Sequence, residues 1–178
     1  AGHRLHFDGY LCDKAIHAGA EIQMDEAMTR IQHQSKSNRD VLVTTKGRYT
    51  FDFLIDASGS LAHVGRLRHG DDERYRPKDQ VPTMYAQVQG NVPETFDVFL
   101  GSVAPSGYAW IIPKGPNTAN VGLGVRAGYL KGNLKEHLQA FCDELGFEVL
   151  SWGGGWIPMG GPVKTMVDGS PLAVGDAA

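Results

Sequence analysis

Near the end of the chain Pro171-Leu172-Ala173-Val174 runs into Gly175-Asp176 and two alanines. A short apolar strand that breaks at Gly-Asp suits a backbone passing close to a bound ligand. Gly175 permits the close approach or an unusual dihedral, and Asp176 offers a carboxylate to ligand hydroxyls. A second candidate is Tyr108-Ala109-Trp110-Ile111-Ile112-Pro113. On a strand, Tyr108, Trp110 and Ile112 point to one face as an aromatic-aromatic-aliphatic row. Such a row is either core packing or the wall of a slot for a long apolar substrate, where rings give rigid contact area.

Other chemistry-bearing residues lack the company they would need. Gly122-Leu123-Gly124-Val125-Arg126-Ala127-Gly128 has three residues between its last two glycines, whereas a dinucleotide fingerprint has two and opens a helix. It reads as strand and turn. His3 with His6, and His63 with His69, have no Cys or carboxylate cluster to complete a metal site. Cys12 and Cys142 have no pattern pairing them with a base, so packing is their reading. Nothing marks Ser58 or Ser60 as activated, no Gly-x-Ser-x-Gly elbow occurs, and no general acid stands out. No catalytic residue and no metal is therefore assigned.

The positioning elements follow from periodicity. Phe7, Leu11, Ala15 and Ala18 recur at helical spacing, with Gly19 placed to end the helix. Ala20-Glu21-Ile22 reads as a strand start. Val41–Thr45 and Arg48–Phe53 read as a hairpin about Lys46-Gly47. Phe53-Leu54-Ile55 reads as a buried strand entering a loop at Asp56-Ala57-Ser58-Gly59. The charged, irregular run Leu67–Pro82 is the best boundary candidate and reads as a solvated connection. Beyond it, Thr83–Gln89, Phe96–Leu100, Tyr108–Ile112 and Ala119–Val125 predict an antiparallel sheet with Pro/Gly/Asn turns. One helix follows, capped by Asn133 with Glu136 at the third position; Leu134, Leu138, Phe141 and Leu145 form its apolar face and Gly146 ends it. The Gly-rich stretch Trp152–Pro162 reads as a loop.

The bulk numbers bound the class. A chain of 178 residues, 42% hydrophobic and 21% charged, is an ordinary globular composition. A net charge of -3 gives no electrostatic footprint for nucleic acid. Two distant cysteines make no disulfide framework, and no apolar run reaches about 18 residues. The chain opens Ala1-Gly2 rather than with Met, which suggests an internal segment.

Taken in order, the motifs resemble those of the geranylgeranyl reductases, including the archaeal digeranylgeranylglycerophospholipid reductases. The matching pieces are Arg4-x-x-Phe7-Asp8-x-x-Leu11 with Gly19-Ala20-Glu21, then Asp56-Ala57-Ser58-Gly59 and Val64-x-Arg66. Pro105-x-Gly107-Tyr108-x-Trp110-x-x-Pro113 with Asn120-Val121-Gly122-Leu123-Gly124-Val125 is the most family-specific stretch. Gly160-Gly161-Pro162 and Val174-Gly175-Asp176-Ala177-Ala178 complete the series. Two positions depart from the family pattern: Ile112 stands where Phe usually precedes the proline, and Ala62 where Ser is usual.

The resemblance implies an α+β flavoprotein segment of the p-hydroxybenzoate hydroxylase-like superfamily. Residues 1–76 would be a partial Rossmann-like FAD domain, 77–168 an antiparallel substrate-binding domain, and 169–178 a strand returning to the FAD domain. It implies FAD as cofactor, touched by Arg4 and Asp176 through side chains, by Met28 through backbone, and at Gly175. Tyr108, Trp110, Ile112 and Pro113 would bind the substrate. The implied activity is reduction of isolated carbon–carbon double bonds in prenyl lipids, with NAD(P)H or ferredoxin as electron donor. The setting would be cytoplasmic, with peripheral membrane contact left open. The segment alone is expected to be inactive and to bind FAD weakly or not at all. The rivals are a flavin monooxygenase or halogenase of the same superfamily and a non-catalytic lipid-binding module.

Overall fold

The computed structural model describes residues 4–34, 39–61, 80–126, 128–161 and 172–177. These fall into two compact units, Ala1–Ala20 with Gln80–Ile157, and Glu21–Asp79 with Pro158–Ala178. The first unit takes in the opening helix, which the motif order had grouped with residues 1–76.

In the first unit, α1 (Arg4–His17) stops where expected, with Gly19 at φ +95. Its apolar line is not used among the described residues: no α1 residue is buried, and Phe7 and Leu11 are exposed. The body of the unit is a five-stranded antiparallel sheet in the order β6-β7-β8-β5-β9. Its strands are β5 (Gln80–Gln89), β6 (Asp97–Phe99), β7 (Gly107–Gly115), β8 (Thr118–Val125) and β9 (Glu148–Pro158). Strand β5 begins inside the run that sequence alone reads as a connection, whose remainder, including Asp71-Asp72-Glu73, lies outside the described residues.

Helix α2 (Leu134–Glu144) covers one face of the sheet. Asn133 Oδ1 accepts the Lys135 N–H at 2.8 Å, Glu136 sits in the first turn, and Gly146 follows at φ +70. A side-chain cap and an acidic first turn satisfy and complement the N-terminal N–H groups. Leu138, Phe141 and Cys142 pack onto Ala86, Val88, Ala109, Ile111, Ala119, Val121 and Leu123. Phe99 meets Phe141 edge-on, with ring centroids 5.3 Å apart. This is the core. Leu145, expected on that face, is at the exposed rim.

Strand β9 corrects the reading of Trp152–Pro162 as a loop. Its glycines serve close packing rather than turning. A Cβ at Gly153 would lie 2.7 Å from Tyr85 Cε2, and one at Gly154 would lie 2.8 Å from the Thr83 carbonyl oxygen. Glycine lets β5 and its side chains approach this closely.

The second unit holds a meander of β1 (Met28–Gln34), β2 (Arg39–Thr44) and β3 (Arg48–Thr50), paired in that order. The hairpin at Lys46-Gly47 is as expected; the strand at Ala20-Glu21-Ile22 is not there. That segment is instead tied down as a loop. Asp25 adopts φ 54, Lys46 Nζ donates to the Met24 carbonyl, and Thr44 and Tyr49 donate to Glu26. The Glu26 bond pushes the Tyr49 phenol above its ordinary value.

The unit also contains a parallel pair, β4 (Ile55–Asp56) beside β10 (Leu172–Ala173). Leu172 N–H donates to Leu54 O at 2.8 Å and Val174 N–H to Asp56 O at 3.0 Å. The buried strand expected at 53–55 is a correction. Phe53 is 79% and Ile55 59% exposed: among the described residues β4 is two residues long and pairs with β10 alone, which gives no apolar layer. The buried member is Asp56, 2% exposed.

Candidate functional site

The strand alternation of β7 divides its side chains cleanly. Ala109 and Ile111 face α2, while Tyr108, Trp110 and Ile112 stand on the opposite face, which α2 does not cover. The expected row therefore exists. Pro113 has the parity of Ala109 and Ile111, so the strand does not bring it to the row, and a bulge follows it.

Cross-strand register builds this face further. Gly122 of β8 lies between Trp110 on β7 and Tyr85 on β5. A Cβ at Gly122 would fall 2.6 Å from Trp110 Cε2, so the indole lies over that glycine. Tyr85 lies likewise against Gly153 of β9. Tyr108 is 5.8 Å from Trp110, centroid to centroid. The Trp110 indole N–H donates to Asn120 Oδ1 at 2.8 Å. Val98 of β6 completes the row opposite Trp110. The result is a band of rings, two of them leaning over a neighbouring glycine, and partly open to solvent, with Tyr85 38% and Tyr108 46% exposed. It suits a long apolar ligand, with few polar groups to desolvate. Sequence reasoning missed Tyr85, Val98 and Asn120; the period-2 pattern of β5 carried the signal for Tyr85.

The Gly-Asp motif sits in the second unit. A 3-10 turn at Gly175–Ala177 follows β10, beside another at Gly59–Leu61 that follows β4. Both turns thus stand at the carboxyl ends of parallel strands, where open α/β sheets bind ligands. Gly59 (φ +72) and Gly175 (φ +61) have positive φ, and a Cβ on either would meet nothing within 4 Å. Space for a close ligand exists on both. Asp56 holds the first turn, its Oδ1 accepting from Ser58 N–H at 3.1 Å and Ser58 Oγ at 2.6 Å. Asp176 is exposed and Ala177 buried, so the turn is anchored beside an exposed acidic residue. These features fit a nucleotide cofactor.

Met28 opens β1, the meander's edge strand, at a register shift that runs to Arg30. Arg4 belongs to the first unit, where its Nε pairs with Asp8 Oδ2 at 3.1 Å and its side chain is 91% exposed. Such an i,i+4 surface pair is worth roughly a few tenths of a kcal/mol, so the guanidinium is available to a better anionic partner.

Among the described residues no group of three His, Cys, Asp or Glu could hold a metal. His3, His63, His69, Ala62, Val64, Arg66, Ala127, Pro162 and Ala178 lie outside those residues. Cys142 is fully buried, and burial, aided by Asp143, pushes its thiol up to about 11. Iodoacetamide at pH 8 should therefore alkylate Cys12 and spare Cys142 until the protein is denatured. Site-resolved mass spectrometry showing Cys142 modified as fast as Cys12 would contradict its place in the core.

The fold is that of a set of enzymes that includes flavin-dependent ones. The chain superposes with TM-score 0.84 on a geranylgeranyl bacteriochlorophyll reductase-like protein from Thermoplasma acidophilum, at 23% identity over 100% of this chain and 49% of that one. It superposes with TM-score 0.72 on the flavin-dependent brominase Bmp2, at 17% identity over 97% of this chain and 48% of that one. Residues 81–154 match the sequence model of the geranylgeranyl reductase catalytic domain. The chain is 35% identical to digeranylgeranylglycerophospholipid reductase 2 of Methanothermobacter thermautotrophicus, over 98% of this chain and 47% of that protein. It belongs to the geranylgeranyl reductase family. The chain spans about half the length of the relatives it matches. No helix among the described residues is long and apolar enough to cross a membrane.

Proposed function

We propose that this chain is a segment of an FAD-dependent oxidoreductase that saturates isolated carbon–carbon double bonds in prenyl lipids. The observation that carries the reading is the sheet face of Tyr108, Trp110 and Ile112, opposite the one α2 covers, within the stretch matching the reductase catalytic domain. An isolated alkene has no polar handle, so a protein must place it by shape. The aromatic band offers such a shape, with Tyr108 and Trp110 as a rigid wall and Ile112 extending it.

FAD, when bound, supplies the hydride-transfer chemistry. In this reading Arg4 and Asp176 hold it by side chain, Met28 by backbone, and Gly175 by leaving room beside the turn. The parallel β4–β10 pair with its two glycine turns supports a Rossmann-like FAD domain of the p-hydroxybenzoate hydroxylase type. Residues 77–168 are proposed as the substrate domain, with 1–76 and 169–178 on the cofactor side. The electron donor is NAD(P)H or ferredoxin, and the setting is cytoplasmic, with peripheral membrane contact left open. No proton donor is assigned.

The test is anaerobic turnover of the intact gene product with dithionite-reduced FAD and a geranylgeranyl lipid. The expected products are heavier by multiples of two hydrogens. Oxygen insertion on admitting air, without saturation, would replace this reading with a monooxygenase. Lipid binding with neither flavin nor turnover would leave a binding module.

A further inference from the structure

We propose that Asn120 is a positioning residue that fixes the Trp110 indole and makes its face fit for a hydrocarbon chain; this rests on the prenyl-lipid reading above. Trp110 is held at two points. Its ring occupies the space a Cβ on Gly122 would need, and its N–H donates to Asn120 Oδ1 at 2.8 Å. Asn120 stands on the same face of β8 as Gly122, and its backbone pairs with Ile112 rather than Trp110. The bond therefore reaches diagonally and holds the indole over β8, whose Gly122 pairs with Tyr85 on the other side.

Indole has one polar group, the N–H, and this donor is a liability in a site for an isoprenoid. While the face is wet, water can satisfy it. When a hydrocarbon covers the face, an unpaired N–H loses water and gains nothing. The bond to Asn120, already part-buried, removes that penalty before the ligand arrives. Asn120 thus acts on binding through Trp110, without any need to touch the ligand itself.

The experiment is lipid binding and turnover by the intact gene product, with geranylgeranyl diphosphate in detergent as the probe. Asn120→Leu should weaken binding and raise KM roughly tenfold, with kcat at saturation within about twofold of wild type. Asn120→Ala should do the same, which guards against a misfolded leucine variant. Trp110→Phe removes the donor, so adding Asn120→Leu to it should cost less than about twofold further. That non-additivity is the signature, since a merely structural asparagine would weaken both backgrounds alike. Unchanged binding in both Asn120 variants, or additive losses in the double variant, would overturn the assignment while leaving the prenyl-lipid reading intact. No binding and no turnover by the wild type would overturn both.

Discussion

Replacing Gly107 by alanine should destabilise the five-stranded sheet severely. Gly107 opens β7 directly opposite Val125 of β8. An added Cβ would fall inside the van der Waals shell of the Gly124 carbonyl, 2.9 Å from its carbon and 3.2 Å from Val125 Cα. These are backbone atoms of a central strand, and they cannot swing aside as a side-chain tip can. Relief requires β7 and β8 to separate where Ala109, Ile111, Leu123 and Val125 form the core. The expected cost exceeds about 4 kcal/mol, the range of backbone overpacking and lost core together, against domain stabilities of about 5–15 kcal/mol. Gly101→Ala is the contrast. Gly101 has φ +96 but nothing within 4 Å of its would-be Cβ, so only local strain of about 1–2 kcal/mol is at stake. Chemical denaturation of the two variants should show this ranking. A Gly107→Ala protein within about 1 kcal/mol of wild type would refute the close approach of β7 and β8.

Elements with a single buried face were legible before any coordinates. The alternation of β5, β7 and β8 and the apolar spacing of α2 follow from α2 covering one sheet face, and Asn133, Gly19 and Gly146 mark helix ends by local chemistry. Two of the failures came from distant residues. Gly153-Gly154-Gly155 carries no local strand signal; only Tyr85 and Thr83, brought alongside by β5, explain why Gly153 and Gly154 are glycine. Ala20-Glu21-Ile22 has strand composition, but Lys46, Thr44 and Tyr49 hold the segment that follows in a loop from 20 residues away or more in most cases. The apolar run Phe53-Leu54-Ile55 reads as buried from its composition, and the short β4 pair leaves Phe53 and Ile55 exposed.

The candidate site divides the same way. Tyr108, Trp110 and Ile112 share a face by the two-residue period of a single strand, which any sequence shows. Asn120, Tyr85 and Gly122 join them only through register, the pairing of Gly122 with Trp110 on one side and Tyr85 on the other. Register is fixed by three strands at once and cannot be read from one. Gly122-Leu123-Gly124, set aside as no nucleotide fingerprint, thereby acquires a reason: Gly122 is the floor beneath an indole.

Trp110→Ala should separate a ligand wall from core packing in one variant. A Trp in the core costs about 3–5 kcal/mol on truncation, because a cavity is left behind. Trp110 stands on the face that α2 does not cover and is only partly buried, so water can fill the space and the expected cost is about 1–2 kcal/mol. Losing its contact with Gly122 and its bond to Asn120 accounts for that much. The larger effect should be on activity. If a prenyl chain covers about 100 Å² of the ring, about 25 cal/mol per Å² gives about 2.5 kcal/mol, or roughly 50-fold to 100-fold in kcat/KM. The loss should exceed that of Asn120→Leu, which disturbs the ring without removing it. Ile111→Ala is the matched control from the opposite face of the same strand, fully within the core. It should destabilise by about 2–5 kcal/mol and leave kcat/KM of the folded fraction near wild type. The reverse pattern, a core-sized stability loss for Trp110→Ala with unchanged turnover in the surviving folded enzyme, would return the aromatic row to packing and remove the proposed substrate face.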